Sequence, residues 1–250
     1  MDQLLKPAVR SNPNRQRLFL CRHGETDLNR LGKLQGARKD PSLNATGFDQ
    51  ASALARELVE LAPSTQIVAS STMLRARQTA AAVAEALGQD ASRIEAMPEF
   101  NEIDFGPVAD GLPLDEALAR SDAVWAAWAG GDLQAQPLEG GESLAAVLDR
   151  FARGAQALLS AAHDDDVVVV THSGLLEVVM AAALAHVSAN NHHPQKAWWW
   201  RHAPASWNLL VARHMREDNV CVNELVFCGP ELDALVRVPR VAYRRFWHAP

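Results

Sequence analysis

This 250-residue chain has few cysteines, no large excess of charge of one sign and no long apolar run. Its three cysteines, Cys21, Cys221 and Cys228, lack the spacing of a zinc or redox motif and are too few for a disulfide scaffold; their odd number favours reduced thiols in the cytoplasm. A net charge of −6 argues against broad binding to nucleic acid or an anionic membrane. The longest nearly apolar stretch, residues 175–185, is interrupted by Glu177 and too short to cross a bilayer, so no membrane segment is expected.

Hydrophobic residues are abundant, but they occur in short runs. Hydrophobic residues make up 48% of the chain, enough for one sizeable core. Residues 1–16 are polar, lack the apolar stretch of a secretory signal, and are expected to form a flexible tail. Residues 17–250 are expected to fold as a single domain, with an irregular insertion around residues 98–141 and a tryptophan-rich segment around residues 190–204.

Apolar runs alternate with amphipathic stretches along the chain. The patterns predict strands at 17–21, 66–69, 167–170, 206–212 and 220–227, and helices at 46–61, 72–87, 114–119, 123–129, 143–162 and 174–185. Thr72 and Ser143 are the expected helix caps, and the last twenty residues are unassigned. Four consecutive valines at 167–170 are typical of a strand buried on both faces. The predicted fold class is therefore α/β, a three-layer αβα sandwich with a mostly parallel sheet.

Two histidines follow directly after predicted strands. His23 comes after the first strand and His172 after the valine strand, and each has a glycine close behind it. Ligands of parallel sheets bind beyond the carboxyl ends of the strands, so both imidazoles are expected in one crevice. Arg22 and Arg75 lie near the same ends, and their forked guanidinium groups match the oxygens of a phosphate. Composition alone explains them equally well as partners of surface carboxylates.

Six segments, in this order, resemble the signature of a known family. They are RHGETDLN (residues 22–29), QG (35–36), SSTMLRARQTA (70–80), NEIDFG (101–106), GGES (140–143) and THSG (171–174). This pattern resembles the histidine phosphatase superfamily, which has the phosphoglycerate-mutase-like fold, and the likeness spans roughly residues 17–185. A single Arg-His-Gly tripeptide would mean little, whereas six ordered segments are specific.

The resemblance implies a reaction through a phosphorylated histidine. His23 is then the nucleophile that attacks phosphorus, and water hydrolyses the phosphohistidine. A neutral imidazole is nucleophilic near pH 7, and the covalent intermediate divides one difficult displacement into two easier ones. Arg22, Arg75 and His172 would stabilise the charge of the phosphoryl group without a metal ion. No cofactor and no metal site are therefore expected.

The resemblance also implies the substrate contacts and the acid. Asn29 corresponds to a phosphate-contacting asparagine, and Gln35 and Gly36 to the adjoining substrate loop. Glu102 corresponds to the residue that protonates the leaving oxygen and then activates water. Glu99 is the neighbouring alternative, and Glu102 is preferred because it precedes the Ile-Asp-Phe-Gly segment.

Two places depart from the family pattern. Residues 107–111 read Pro-Val-Ala-Asp-Gly, with one residue more than expected and no aromatic–acidic pair, so substrate contacts in this loop are in question. Glu177 stands where relatives often have an arginine, which disfavours a second phosphate.

The tryptophan-rich segment lies outside the likeness. Trp198–Trp200 cannot all face one way, so they are expected either to line a cleft for a planar substrate or to pack in the fold or in an oligomer, which would make the protein a homodimer. His192 and His193 are adjacent, which is poor geometry for a shared metal.

Taken together, the sequence favours a metal-independent phosphomonoesterase acting on a small phosphorylated metabolite. A sugar phosphate, a nucleotide-like phosphate and a phosphorylated cofactor precursor are all open as substrates. One alternative is a phosphoglycerate mutase, although the sequence lacks the Gly-Trp pair after the asparagine and the Glu-Arg pair at the acid that mutases usually show. The alternative of another class is a catalytically silent phosphate-binding adaptor, which would need none of the acid–base residues.

Overall fold

The computed structural model of the chain describes residues 15–129, 131–137, 140–163, 165–179, 182, 222–228 and 231–237. Its elements are β1 (Arg15–Arg22), α1 (Asp27–Arg30), α2 (Ala45–Leu61), β2 (Thr65–Ser70), α3 (Leu74–Ala86), a 3₁₀ turn (Ala91–Arg93), β3 (Glu95–Ala96), a second 3₁₀ turn (Pro98–Phe100), α4 (Leu114–Ala129), α5 (Leu144–Ala161), β4 (Asp166–Thr171), β5 (Val222–Cys228) and β6 (Glu231–Arg237). Residues 173–179 are also helical.

The strands form one six-stranded sheet in the order β3-β2-β4-β1-β5-β6. The pairs β3–β2, β2–β4 and β4–β1 are parallel, whereas β5 runs antiparallel to both β1 and β6. In the central pair, Leu18 lies opposite Val167 and Arg22 lies opposite Thr171. The mostly parallel sheet predicted from the sequence is confirmed.

Alternate residues of the central strands enter two separate cores. Leu18 and Val167 pack with residues of α4 and α5 on one face. Phe19 and Val168 pack with residues of α2 and α3 on the other. Because successive side chains of a strand point to opposite faces, uninterrupted apolar runs give both layers of helices a surface to cover. The result is the predicted three-layer αβα arrangement.

Two helix predictions need correction. Thr72 does not cap α3: Met73 occupies the cap position with no side-chain hydrogen bond, and the Thr72 hydroxyl donates to Asn101 Oδ1 at 2.9 Å. The helices expected at 114–119 and 123–129 are one continuous helix, α4. The polar residues between them are accommodated within the helix: exposed Arg120 pairs with Glu116 four residues earlier, and buried Ser121 donates to the Ala117 carbonyl. Ser143, by contrast, caps α5 as predicted.

The structure adds strand residues in two places: β1 begins earlier than predicted, and β6 was not predicted. Arg15 and Gln16, expected in the tail, belong to β1 and pair with Cys228 and Phe227. The last twenty residues, left unassigned, contain β6.

Several predictions lie outside the described residues, namely the strand at 206–212, the helical residues 183–185, the pair His192–His193 and Trp198–Trp200. In the part that is described, no helix has both the length and the hydropathy needed to cross a membrane.

Candidate active site

The parallel register of β1 and β4 places two imidazoles side by side. The His23 amide donates to the Thr171 carbonyl at 3.0 Å, which continues the ladder by one step past the end of β1. The next residue after β4 is His172, and the ring centroids of the two histidines are 5.1 Å apart. The predicted convergence of His23 and His172 at the carboxyl ends of the strands is therefore seen.

The loop after β1 lies very close to the start of α2. A Cβ atom added to Gly24 would lie 2.4 Å from the Gly47 carbonyl oxygen, and one added to Gly47 would lie 2.1 Å from the Glu25 oxygen. Neither position has room for a side chain. These two glycines allow the backbone to turn immediately after His23.

Partners of fixed hydrogen-bonding role define the tautomer of His23. Its Nδ1 lies 2.6 Å from the Gly24 carbonyl oxygen, which only accepts, so Nδ1 carries the hydrogen. Its Nε2 lies 3.2 Å from Arg75 Nε, which only donates, so Nε2 carries a lone pair. The nitrogen that carries the lone pair therefore lies beside a guanidinium group.

Burial lowers the pKa of His23 well below its usual 6.5, and the charges of Arg75 and then Arg22 lower it further. The hydrogen bond to Gly24 acts in the opposite direction and is the weaker influence. The ring is consequently neutral at physiological pH, the form in which a histidine acts as a nucleophile.

Arg75 is fully buried and connects several parts of the site. Its Nη1 donates to the Lys39 carbonyl at 2.8 Å and its Nη2 to the Gly36 carbonyl at 3.4 Å. Burial lowers the pKa of Arg75 to about 10, with Glu102 and Asp40 opposing the change, so the side chain remains charged near pH 7. It stands as a fixed positive charge against the His23 ring.

His172 is held through one ring nitrogen. Its Nε2 lies 2.7 Å from Ser71 Oγ, which also accepts from the Met73 amide at 3.2 Å. Its Nδ1 is buried and has no hydrogen-bond partner among the described residues. Burial and the charge of Arg75 lower the pKa of His172 well below 6.5. Nδ1 is thus the ring atom left to meet a ligand.

Glu102 occupies a loop but is buried, with its carboxylate at the start of the helical residues 173–179. Oε2 accepts from the Gly174 amide at 3.0 Å, and Oε1 accepts from the Leu175 and Ile103 amides at 2.9 Å each. A Cβ atom on Gly174 would lie 2.7 Å from Oε1, so a larger residue at this position would clash with the Glu102 carboxylate. Burial raises the pKa of Glu102, while the three backbone hydrogen bonds and Arg75 act against this.

Glu99, the alternative acid, lies in the second 3₁₀ turn and is half-buried. Its Cβ lies against Gly154 of α5.

Of the predicted substrate contacts, only Gly36 touches Arg75. Asn29 and Gln35 meet instead at Thr26, which donates to Asn29 Oδ1 from its amide at 3.1 Å and to Gln35 Oε1 from its hydroxyl at 2.9 Å. Gln35 Nε2 is buried without a hydrogen-bond partner in the described part of the chain.

Sequence reasoning missed two supporting residues. Ser71 follows β2 as His23 follows β1, so the strand-end rule would have found it. Asp110 carries no such signal: it accepts from the amides of Gly36 and Arg38 across a long sequence separation. The unusual loop at 107–111 therefore holds the Gln35–Gly36 segment in place.

The described residues contain no group of three or more His, Cys, Asp or Glu side chains arranged to hold a metal ion. Glu177 is half-buried on the helical residues 173–179.

Comparison with known proteins agrees with this geometry. The sequence model described as "Histidine phosphatase superfamily (branch 1)" matches residues 18–225. A curated 2,3-bisphosphoglycerate-dependent phosphoglycerate mutase of Methylobacterium radiotolerans is 35% identical over 159 residues, covering 58% of this chain and 73% of the mutase. A second curated mutase, of Methylobacterium sp. (strain 4-46), is 34% identical and is covered over 74% of its length. Several further curated relatives are matched over about half of their length or less, for example 37% and 49%.

Two solved structures of phosphatases are similar as well. The mycobacterial glucosyl-3-phosphoglycerate phosphatase has a TM-score of 0.64 and 26% identity, with 88% of this chain and 95% of that chain covered. The α-ribazole phosphatase of Shigella flexneri has a TM-score of 0.59 and 26% identity, covering 84% and 89%.

Proposed function

The chain belongs to the histidine phosphatase superfamily and is an enzyme of the phosphatase class, and from that premise we propose that it hydrolyses a small phosphorylated metabolite through a phosphohistidine on His23. The observation that carries the proposal is the fixed, neutral tautomer of His23, whose Nε2 lone pair faces Arg75. A binding module has no need to hold an imidazole in its nucleophilic form.

In the first step, His23 Nε2 attacks phosphorus and the bond from phosphorus to the ester oxygen breaks. The departing oxygen takes a proton from Glu102. In the second step, water attacks phosphorus, the N–P bond breaks and inorganic phosphate leaves, while the Glu102 carboxylate takes the proton from water. Glu102 is thereby returned to its protonated state.

The hydrogen bonds of Glu102 indicate which oxygen holds that proton. Oε1 already accepts two backbone N–H groups, which uses both of its in-plane lone-pair positions. Oε2 accepts only one, from Gly174, and so has a position left for hydrogen. We therefore assign Oε2 as the donor atom, and the raised pKa of this buried carboxyl favours its protonated form.

The charge on the transferring group would be met by fixed positive and hydrogen-bonding groups. Arg75 donates to Nε2, and Arg22 adds a second positive charge that acts on the His23 ring. His172 Nδ1 is buried without a hydrogen-bond partner among the described residues. Gln35 Nε2 is a further unpartnered buried donor near the Gly36 segment. Preorganised donors of this kind stabilise charge without a metal ion.

The test is hydrolysis of p-nitrophenyl phosphate and a panel of phosphorylated metabolites in the presence of EDTA. We expect turnover, and with radiolabelled substrate a phosphoryl adduct on His23 that is labile in acid and stable in base. His23→Ala should remove both, whereas His163→Asn, at an exposed histidine between α5 and β4 and at the opposite end of β4 from His172, should keep both. Inactivation of the wild type by EDTA, or more than a few per cent of activity in folded His23→Ala, would contradict the proposal.

A phosphoglycerate mutase is the second candidate, because a curated mutase is 35% identical. The chain has Arg30–Leu31 after Asn29 and Ile103 after Glu102, in place of the pairs usual in mutases. With 3-phosphoglycerate and a trace of 2,3-bisphosphoglycerate, a mutase forms 2-phosphoglycerate, whereas a phosphatase releases inorganic phosphate. We expect inorganic phosphate.

A further inference from the structure

The Arg150 side chain reaches from α5 into the segment that carries Glu102. Its Nη1 donates to the carbonyls of Glu99 and Asn101 at 2.8 and 2.7 Å, and its Nη2 donates to the Glu102 carbonyl at 3.3 Å. Its Nε and Nη2 also bind the two oxygens of Glu142 at 2.8 and 3.0 Å. All five N–H groups of the guanidinium are therefore used.

Glu142 extends the same network past Glu102. Its Oε2 also accepts from the Asp104 amide at 3.0 Å. The Arg150 side chain is only 11% exposed and that of Glu142 26%, so this bidentate pair is well shielded from solvent. The pair fixes backbone groups on both sides of Glu102.

Glu102 needs such support because no regular element holds it. Residues 101–106 are neither helix nor strand, and among the described residues its carboxylate accepts hydrogen bonds only from the amides of Ile103, Gly174 and Leu175. A backbone shift of about 1 Å at a catalytic group is enough to lower a rate a hundredfold. Backbone amides thus bind the Glu102 carboxylate, while Arg150 and Glu142 bind the main chain around Glu102.

From this geometry we propose that Arg150, together with Glu142, is the positioning residue that keeps Glu102 in place to donate its proton. The inference rests on the acid role proposed for Glu102. It also gives a purpose to the Gly-Glu-Ser motif at 141–143, which supplies both Glu142 and the cap of α5. Arg150 donates no hydrogen bond to His23 or His172, so its positioning role is exerted through the backbone around Glu102. Its charge also helps to lower the pKa of His172, and a lysine at this position would keep that charge.

The test is Arg150→Lys, which keeps the positive charge but cannot reach five acceptors with one planar fork. If Arg150 positions the acid, kcat for an alkyl phosphate should fall by about tenfold or more, with KM nearly unchanged. For p-nitrophenyl phosphate, whose leaving group hardly needs a proton, the loss should stay within about threefold. Arg153→Lys, at an exposed arginine of the same helix, is the matched control and should change neither.

A double-variant cycle separates positioning from general support of the fold. In a Glu102→Gln background there is no proton donor to misplace, so Arg150→Lys should add less than about twofold to the loss on the alkyl ester. Equal losses on both esters, or a fully additive loss in that background, would overturn the inference.

Folding and the assigned activity are checked separately. If Arg150→Lys shows no cooperative thermal unfolding, Glu142→Gln, which keeps the shape of the side chain, is measured in the same way and against the same criteria. A wild-type protein that hydrolyses neither ester would refute the proposed function, and the inference with it. With an active wild type, only the ester comparison and the cycle decide.

Discussion

The candidate active site has two halves that are built by different means: a strand-end half with His23 and His172, and an acid half with Glu102. His23 and His172 are placed by backbone hydrogen bonds between two parallel strands buried at the centre of the sheet. Glu102 lies in a loop without regular structure, where three backbone amides bind its carboxylate and the side chains of Arg150 and Glu142 bind the backbone on either side of it. Backbone pairing is indifferent to most substitutions, whereas a side-chain network depends on a few particular residues. The strand-end half should therefore tolerate change around it better than the acid half.

The comparison predicts different kinetic signatures for the two halves. In the proposed mechanism, groups at the strand ends meet the phosphoryl group, which every ester shares, so their loss should slow all esters alike. Groups of the acid half would serve the leaving oxygen in that mechanism, so their loss should depend on the leaving group.

The largest effect is expected at Arg75. Arg75→Lys removes the fork that contacts His23 and Gly36, and kcat/KM should fall by about a hundredfold or more for alkyl and aryl phosphates alike. Arg77→Lys, at the exposed arginine two residues further on, should have no effect. Steady-state kinetics with both ester types measures this effect. A loss of activity on only one ester would contradict the prediction that the strand-end half acts on all esters alike.

Glu102→Gln should come next. We expect a loss of about a hundredfold for alkyl phosphates and a much smaller one for p-nitrophenyl phosphate, because only the former need a proton on the leaving oxygen. Glu99→Gln is the control and should behave as the wild type. If both esters slow equally in Glu102→Gln, Glu102 is not the acid.

Acidification should act on the strand-end half. His23 and His172 have folded-state pKa values below 6.5, so the unfolded chain binds protons first as the pH falls, and stability is lost from pH 6.5 downward through the folded-state values. In that window each histidine contributes a slope of about 1.4 kcal/mol per pH unit. Urea unfolding at several pH values should show a smaller slope for His172→Asn than for the wild type. Identical slopes in the two proteins would contradict the lowered pKa.

The smallest effect is expected at Arg38. This side chain is 43% exposed and binds Asp104 at 2.8 Å, at the outer side of the acid loop. Exposed ion pairs contribute little and are screened by salt, so Arg38→Gln should lower the melting temperature by about 2 °C or less, and not at all in about 1 M salt. A larger shift, or one that survives salt, would mean that the acid half is supported from outside as well as by Arg150.

The contrast between placement by strand pairing and placement by side-chain contacts also explains which site residues the sequence could predict. His23 and His172 follow apolar runs whose pairing is a local consequence of burial, so the strand-end rule found them. Arg150 carries no signal, because three of its five hydrogen bonds, to the carbonyls of residues 99, 101 and 102, exist only once α5 lies against residues 99–104. The break expected in α4 was wrong because Arg120 and Ser121 are polar residues on exposed or bonded turns of the helix, where Ser121 Oγ donates to the Ala117 carbonyl. The strand β6 was missed because charged residues interrupt its apolar pattern, and only its pairing with β5 defines it.

The position of β1 in the sheet has a consequence for how the protein is made. This strand comes first among the described elements, yet both of its neighbours, β4 and β5, come late: Leu18 pairs with Val167 on one side and with Leu225 on the other. A nascent chain therefore exposes an apolar strand with no ladder partner until most of the sequence has left the ribosome. Pairings so distant in sequence form slowly and leave strand edges open to aggregation in the meantime. His23 is synthesised early, but the backbone hydrogen bond that places it beside Thr171 can form only after β4 has been made.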